Sequence, residues 1–118
     1  MSKPLLFKSP IERAVTRQLA QDSFEDMVKF VVDLDRRVIC VGGGLHSDEE
    51  QILLEDGSQQ DNLWGANYYL DDSGDARFEY TSMINIRPLQ NNKSQQIESA
   101  EIRNQVYSLA VHFFESIK

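Results

Sequence analysis

A chain of 118 residues with 41% apolar and 26% charged residues has the size and composition of one globular domain able to bury its own core. Its net charge of −7, from 19 acidic against 12 basic residues, argues against nucleic acid and anionic membranes as partners, since both are gripped mainly through Lys and Arg. A single cysteine rules out an internal disulfide, no run approaches the roughly 20 apolar residues of a membrane span, and Leu5-Leu6-Phe7 is too short for a signal-peptide core, so a cytoplasmic protein is expected.

In chain order, Pro4 to Lys8 reads as a short edge strand. Ser9-Pro10-Ile11-Glu12 has the form of a capping box with proline at the first helical position. It predicts a helix from Pro10 to about Asp22 with Ile11, Ala14, Val15 and Leu19 on one side. Met27 to Leu34 alternates, with Val28, Phe30, Val32 and Leu34 on one face and Lys29, Val31 and Asp33 on the other. Asp35-Arg36 turns the chain, and Arg37 to Gly42 returns as a second strand. In that register Ile39 and Val41 join Phe30 and Val32 in the core, and Cys40 is a small buried hydrophobe. Gly42-Gly43-Gly44 ends the strand. Ser47 to Glu50 reads as a second capping box, predicting a helix from Asp48 through Ile52-Leu53-Leu54 to a stop at Gly57. Asn62 to Leu70 and Arg77 to Arg87 read as two further strands, joined by the loop Asp71-Asp72-Ser73-Gly74-Asp75 and stopped by Pro88. A polar loop then leads to Ser99, the predicted cap of a last helix over Ala100 to Ile117. The expected fold is α+β: an antiparallel sheet of four, or with the edge strand five, strands built from two hairpins, with helices mainly on one face.

Several strings carry a resemblance. They are Met27-Val28-Lys29 with Val31-Val32-Asp33, Gly42-Gly43 with Leu45-His46 and Asp48, and Leu53-Leu54-Glu55 with Gly57-Ser58. Leu63-Trp64-Gly65 with Asn67 and Tyr69 follows, then Ser82-Met83-Ile84-Asn85-Ile86-Arg87-Pro88 with Asn92 and Ser94. Over roughly residues 4 to 105 the chain resembles a family of short prokaryotic, often cyanobacterial, proteins classed only as a domain of unknown function. The resemblance implies a cytoplasmic prokaryotic protein and brings no activity, cofactor or catalytic residue. Lys93 departs from the arginine expected beside Asn92 and Ser94, which weakens any reading that needs a bidentate guanidinium there.

The residues that suggest chemistry are polar side chains on strands. By strand parity Lys29, Asp33, Asn67, Asn85 and Arg87 share a sheet face and form a patch suited to a carboxylate or phosphate. The bland alternative is a solvated face with cross-strand ion pairs. His46, Asp48, Glu49 and Glu50 carry metal-ligating groups, but acidic residues in a first helical turn have a simpler role beside the helix dipole, and no metal is expected. The triple glycine lacks the Gly-Lys-Ser/Thr continuation of a phosphate loop. Asp71 to Asp75 lacks the distal glutamate of a calcium loop, Ser82 at that position standing in its stead. No nucleophile triad can be assembled from His46, His112, Ser82 or Ser94. Trp64 reads as a core anchor. The reading is therefore a binding or interaction module without a cofactor, its ligand candidates being Lys29, Asp33, His46, Asn67, Asn85 and Arg87. The alternative is a small enzyme acting on an anionic metabolite, with Lys29 and Arg87 holding charge and His46 or Asp33 moving protons. The last helix has an apolar arc wider than one packing face needs, with Tyr107, Val111 and Phe114 on its second flank. This suggests either cover by the first helix or a homodimer interface, and the homodimer is the expectation.

Overall fold

The computed structural model describes residues 3–117. Strands β1 (Leu5–Phe7), β2 (Met27–Asp33), β3 (Val38–Val41), β4 (Leu63–Tyr69) and β5 (Phe78–Glu79) form one sheet in the order β1-β3-β2-β4-β5, every neighbour antiparallel. The helices are α1 (Arg13–Gln21), α2 (His46–Glu55) and α3 (Ala100–Glu115). The class is α+β, and both expected hairpins, β2–β3 and β4–β5, are present. Phe30 pairs with Val41 and Val32 with Ile39, the register that the alternation implied.

The strand order has a consequence for the helices. β1 and β2 both run antiparallel to β3, so they are parallel to each other with β3 between them. β3 and β4 are likewise parallel across β2. Parallel strands need a crossover over the face of the sheet. Helix α1 provides the first and α2 the second, on opposite faces. The main core lies on the α1 and α3 side, where Val28, Phe30, Val32, Ile39, Ala66 and Tyr68 meet Leu19, Val106, Leu109 and Phe113. On the other face a smaller core of Val31, Val38, Cys40, Leu53 and Leu63 sits under α2. Two helices thus share one face, and the third covers the face that strand parity left polar. Cys40 is fully buried there, and burial pushes its thiol up to about 12, which keeps it protonated and inert.

Three local expectations are corrected. Helix α1 begins at Arg13, not Pro10, and Ser9 makes no cap: Ile11 is held in an extended segment by its N–H to Phe113 O at 2.8 Å. Its buried face is Thr16, Leu19 and Ala20, while Ala14 and Val15 are exposed. Helix α2 starts two residues early, at His46, with Leu45 as an N-cap that makes no side-chain bond. Its end is as expected: Gly57 takes φ +107°, Gly57 N–H donates to Leu54 O and Ser58 N–H to Leu53 O, the paired bonds of a Schellman stop. The fourth predicted strand leaves the sheet after Glu79. The chain then runs through bridges and short turns to α3, where Ser99 Oγ accepts from Ile102 N as its sequence position implied.

Candidate functional site: a cleft beneath helix α2

Helix α2 lays His46, Glu49 and Leu53 against the sheet, at the i, i+3, i+7 spacing of one helical face. Leu53 joins the smaller core, but the first turn of that face is polar. Glu49 is fully buried; its Oε2 accepts Gly43 N–H at 2.9 Å, while Oε1 has no partner. Burial pushes its carboxyl well above the ordinary range, against the pull of the Gly43 amide and of Lys29. Gly43 allows this approach, since a Cβ there would lie 3.2 Å from Glu49 Cγ. His46 Nε2 donates to Ala66 O at 2.9 Å, so the neutral ring keeps Nδ1 as an acceptor. Burial lowers the imidazole to about 4, with Lys29 adding to the effect against the Ala66 bond, and at neutral pH His46 is uncharged.

Strand β4 supplies the floor. Gly65 has no room for a side chain: a Cβ would fall 2.8 Å from Ser82 Cβ and 3.2 Å from His46 Cδ2. Its neighbour on the same face is Asn67, 5% exposed and paired across the strands with Lys29. Asn67 Nδ2 donates to Glu79 Oε1 at 2.8 Å, which orients the amide, and its Oδ1 is buried without a partner. The Lys29 ammonium lies 5.2 Å from the Phe24 ring centroid, held by a π face that leaves its charge intact, and among the described residues no carboxylate comes within ion-pair distance of it. Lys29, His46 and Asn67 line a cleft of about 290 Å³ between the start of α2, the sheet and the segment after β5. Ser47, Ser82 and Gln95 add polar walls, and Leu45 and Met83, 59% and 68% exposed, stand at it as apolar side chains.

The remaining polar candidates serve the chain itself. Asn85 Oδ1 accepts Gly65 N–H at 2.9 Å, and its Nδ2 donates to Gly65 O at 2.9 Å and to Gln95 O at 3.1 Å. One amide therefore stands in for the strand partner that β4 lacks at that point. The Arg87 guanidinium donates to Leu63 O, Gln60 O, Ile84 O and Gln90 Oε1 and stacks 4.2 Å over Trp64, itself buried in the main core. Burial lowers its pKa, and its donors are engaged by carbonyls. Asp33 lies at the far end of β2, where Oδ1 accepts from Asp35 N and Arg36 N at 2.9 Å each and shapes the hairpin turn. Among the described residues no three His, Cys, Asp or Glu side chains converge as a metal site would require.

Two residues with structural weight escape the sequence reading. Glu49 sits where the helix dipole alone would account for it, although its i+3 spacing from His46 and i−4 from Leu53 marks a buried stripe. Asn92 holds the loop after β5: Nδ2 donates to Asn85 O, Ser94 O and Gln96 O, and Oδ1 accepts Glu98 N–H. Of the interface candidates, Phe114 is corrected. It is 1% exposed, stacked on Tyr68 at 4.4 Å and edge-on to Phe30 at 5.3 Å, so the chain's own aromatic core covers that flank of α3. Tyr107 packs edge-on to Phe78 at 5.5 Å and accepts from Arg77, and Val111 is half-buried against the core.

The molecule is thus a small α+β domain with helices on both faces of an antiparallel sheet and a polar cleft under one of them. The chain belongs to the DUF5674 family, proteins of unknown function, whose family model matches residues 5–113. No curated protein and no solved structure matches it significantly.

Proposed function

We propose that this protein is a binding module whose site for a small anionic molecule is the cleft beneath α2. The observation that carries the reading is the Lys29 ammonium, without an ion-pair partner among the described residues, on the wall of a concave site where Ser47, Ser82 and Gln95 supply further hydrogen-bond donors. In a chain with 19 acidic residues, a lysine steadied by an aromatic ring rather than a carboxylate is available to an incoming anion. The enzyme alternative has less support. His46 titrates near 4, which makes it a weak base at neutral pH, and Asp33 shapes a turn at the other end of β2.

Acetate is the minimal probe. Calorimetric titration at low ionic strength should show saturable binding to the wild type, weakened at least about tenfold in Lys29→Met, the loss expected for one charge-assisted contact. Equal binding by the two proteins, or none by the wild type, would contradict the proposal.

A further inference from the structure

The cleft differs from a plain anion site in two ways, and both bear on the class of ligand. Lys29 is the one cationic side chain lining it, since His46 is neutral above about pH 5. Asn67, which also lines it, donates to Glu79 Oε1 at 2.8 Å, so the charged group adjoining that wall is a carboxylate rather than a second cation. A phosphate monoester or inorganic phosphate, with a charge of roughly −1.5 to −2 at neutral pH, is poorly matched. A carboxylate, with one charge on two acceptor oxygens, fits the single ammonium. The second feature is Leu45 and Met83, two exposed apolar side chains that line the same cleft from the α2 N-cap and from the turn after Ser82, with Ile84 half-buried beside them. Large apolar side chains exposed singly carry no message, but two of them lining one concave polar site, next to its only cation, do.

Building on the proposed binding role, we infer that the ligand is an amphipathic monocarboxylate: a carboxylate head at Lys29 with a short aliphatic tail between Leu45 and Met83. The cleft volume of about 290 Å³ lies at the small end of ligand pockets, which suits a short-chain acid rather than a nucleotide or a long lipid. Tail burial would cover Leu45 and Met83 as well as the ligand, so affinity rises with chain length until the cleft is filled.

The test compares acetate, hexanoate and inorganic phosphate by calorimetry on the full chain, with wild type, Lys29→Met and the double variant Leu45→Ser/Met83→Ser. Hexanoate should bind at least about tenfold more tightly than acetate, because four further methylenes are partly buried. Phosphate should bind more weakly than either. Lys29→Met should weaken hexanoate at least about tenfold, and the double variant should reduce hexanoate to about the wild-type affinity for acetate. Acetate binding as tightly as hexanoate, or a double variant that keeps the hexanoate advantage, overturns the tail assignment while the anion site stands. Phosphate binding tighter than both acids overturns the single-charge argument. Failure of all three probes to bind removes the anion site and this inference together.

Discussion

Three asparagines lie near the cleft, and one residue type does three different jobs there. Asn85 replaces a missing strand, Asn92 ties a loop, and Asn67 is left with a buried acceptor and no donor. Strand parity grouped Asn85 with Asn67 because it assumed a strand running to Arg87. That strand ends at Glu79, and Asn85 reaches Gly65 from a turn instead. Nothing in the residue types separates these roles, since an amide that completes a backbone ladder and an amide that meets a ligand look alike in a sequence. Energetics should separate them. Asn85→Ala leaves Gly65 N–H and Gly65 O without partners, takes from Gln95 O one of its two donors, and should cost about 2 to 4 kcal/mol of stability in urea unfolding. A loss below roughly 1 kcal/mol would show that water replaces the amide. His46 offers a second residue-scale check, with a worked sign. Its folded value of about 4 lies below the ordinary 6.5, so its contribution to stability is complete above about pH 6.5 and is lost as pH falls through 4. The full effect is on the order of 3 kcal/mol. Proton NMR of the ring should give a midpoint near 4, and His46→Gln should lose less stability than wild type between pH 7 and pH 4. A midpoint near 6.5 would place the ring in solvent.

At the scale of elements, the strands with unbroken alternation are legible and so is the last helix, whereas the starts of the first two helices are not. Val28, Phe30, Val32 and their partners Ile39 and Val41 declared both the hairpin and its core face, because a period of 2 leaves one solution. The capping boxes at Ser9 and Ser47 misled for a common reason. Tertiary contacts, Ile11 to the end of α3 and His46 to Ala66, set where those helices begin. The Ser99 cap held because the polar loop before it makes no competing demand on the serine. The apolar arc of α3 is wider than one packing surface needs. Its second flank meets the aromatic cluster of Phe30, Tyr68 and Phe78, an arrangement whose width no single-helix periodicity reveals. Phe114→Ala should therefore destabilise the chain by about 3 to 5 kcal/mol, the usual cost of emptying an aromatic site. The check is chemical denaturation. A variant of unchanged stability would return Phe114 to the surface.

For the molecule as a whole, the strand order β1-β3-β2-β4-β5 decides where function can sit. Each of the first two helices links parallel strands that have another strand between them, so one helix lies on each face. Lys29 and Asn67, with Gly65 beside them, come to lie beneath α2 instead of facing bulk water. The class and the hairpins were legible in the sequence because they follow from local patterns. The cleft was not, because it depends on a crossover that joins residues 29, 46, 67 and 82 from four separate segments. A second depression, about 730 Å³ and more open, runs beside α3 between Arg37, Glu101, Asn104 and Ser108. Its larger volume is surface relief, and none of the buried, unpartnered polar atoms among the described residues belongs to its lining. The two depressions can be told apart directly by mapping amide chemical-shift changes on ¹⁵N-labelled protein titrated with acetate. The account predicts saturable shifts confined to Lys29, Leu45 to Ser47, Asn67 and Thr81 to Ile84. Shifts gathered instead around Arg37 and the 101–108 face of α3, or scattered without saturation, would contradict it.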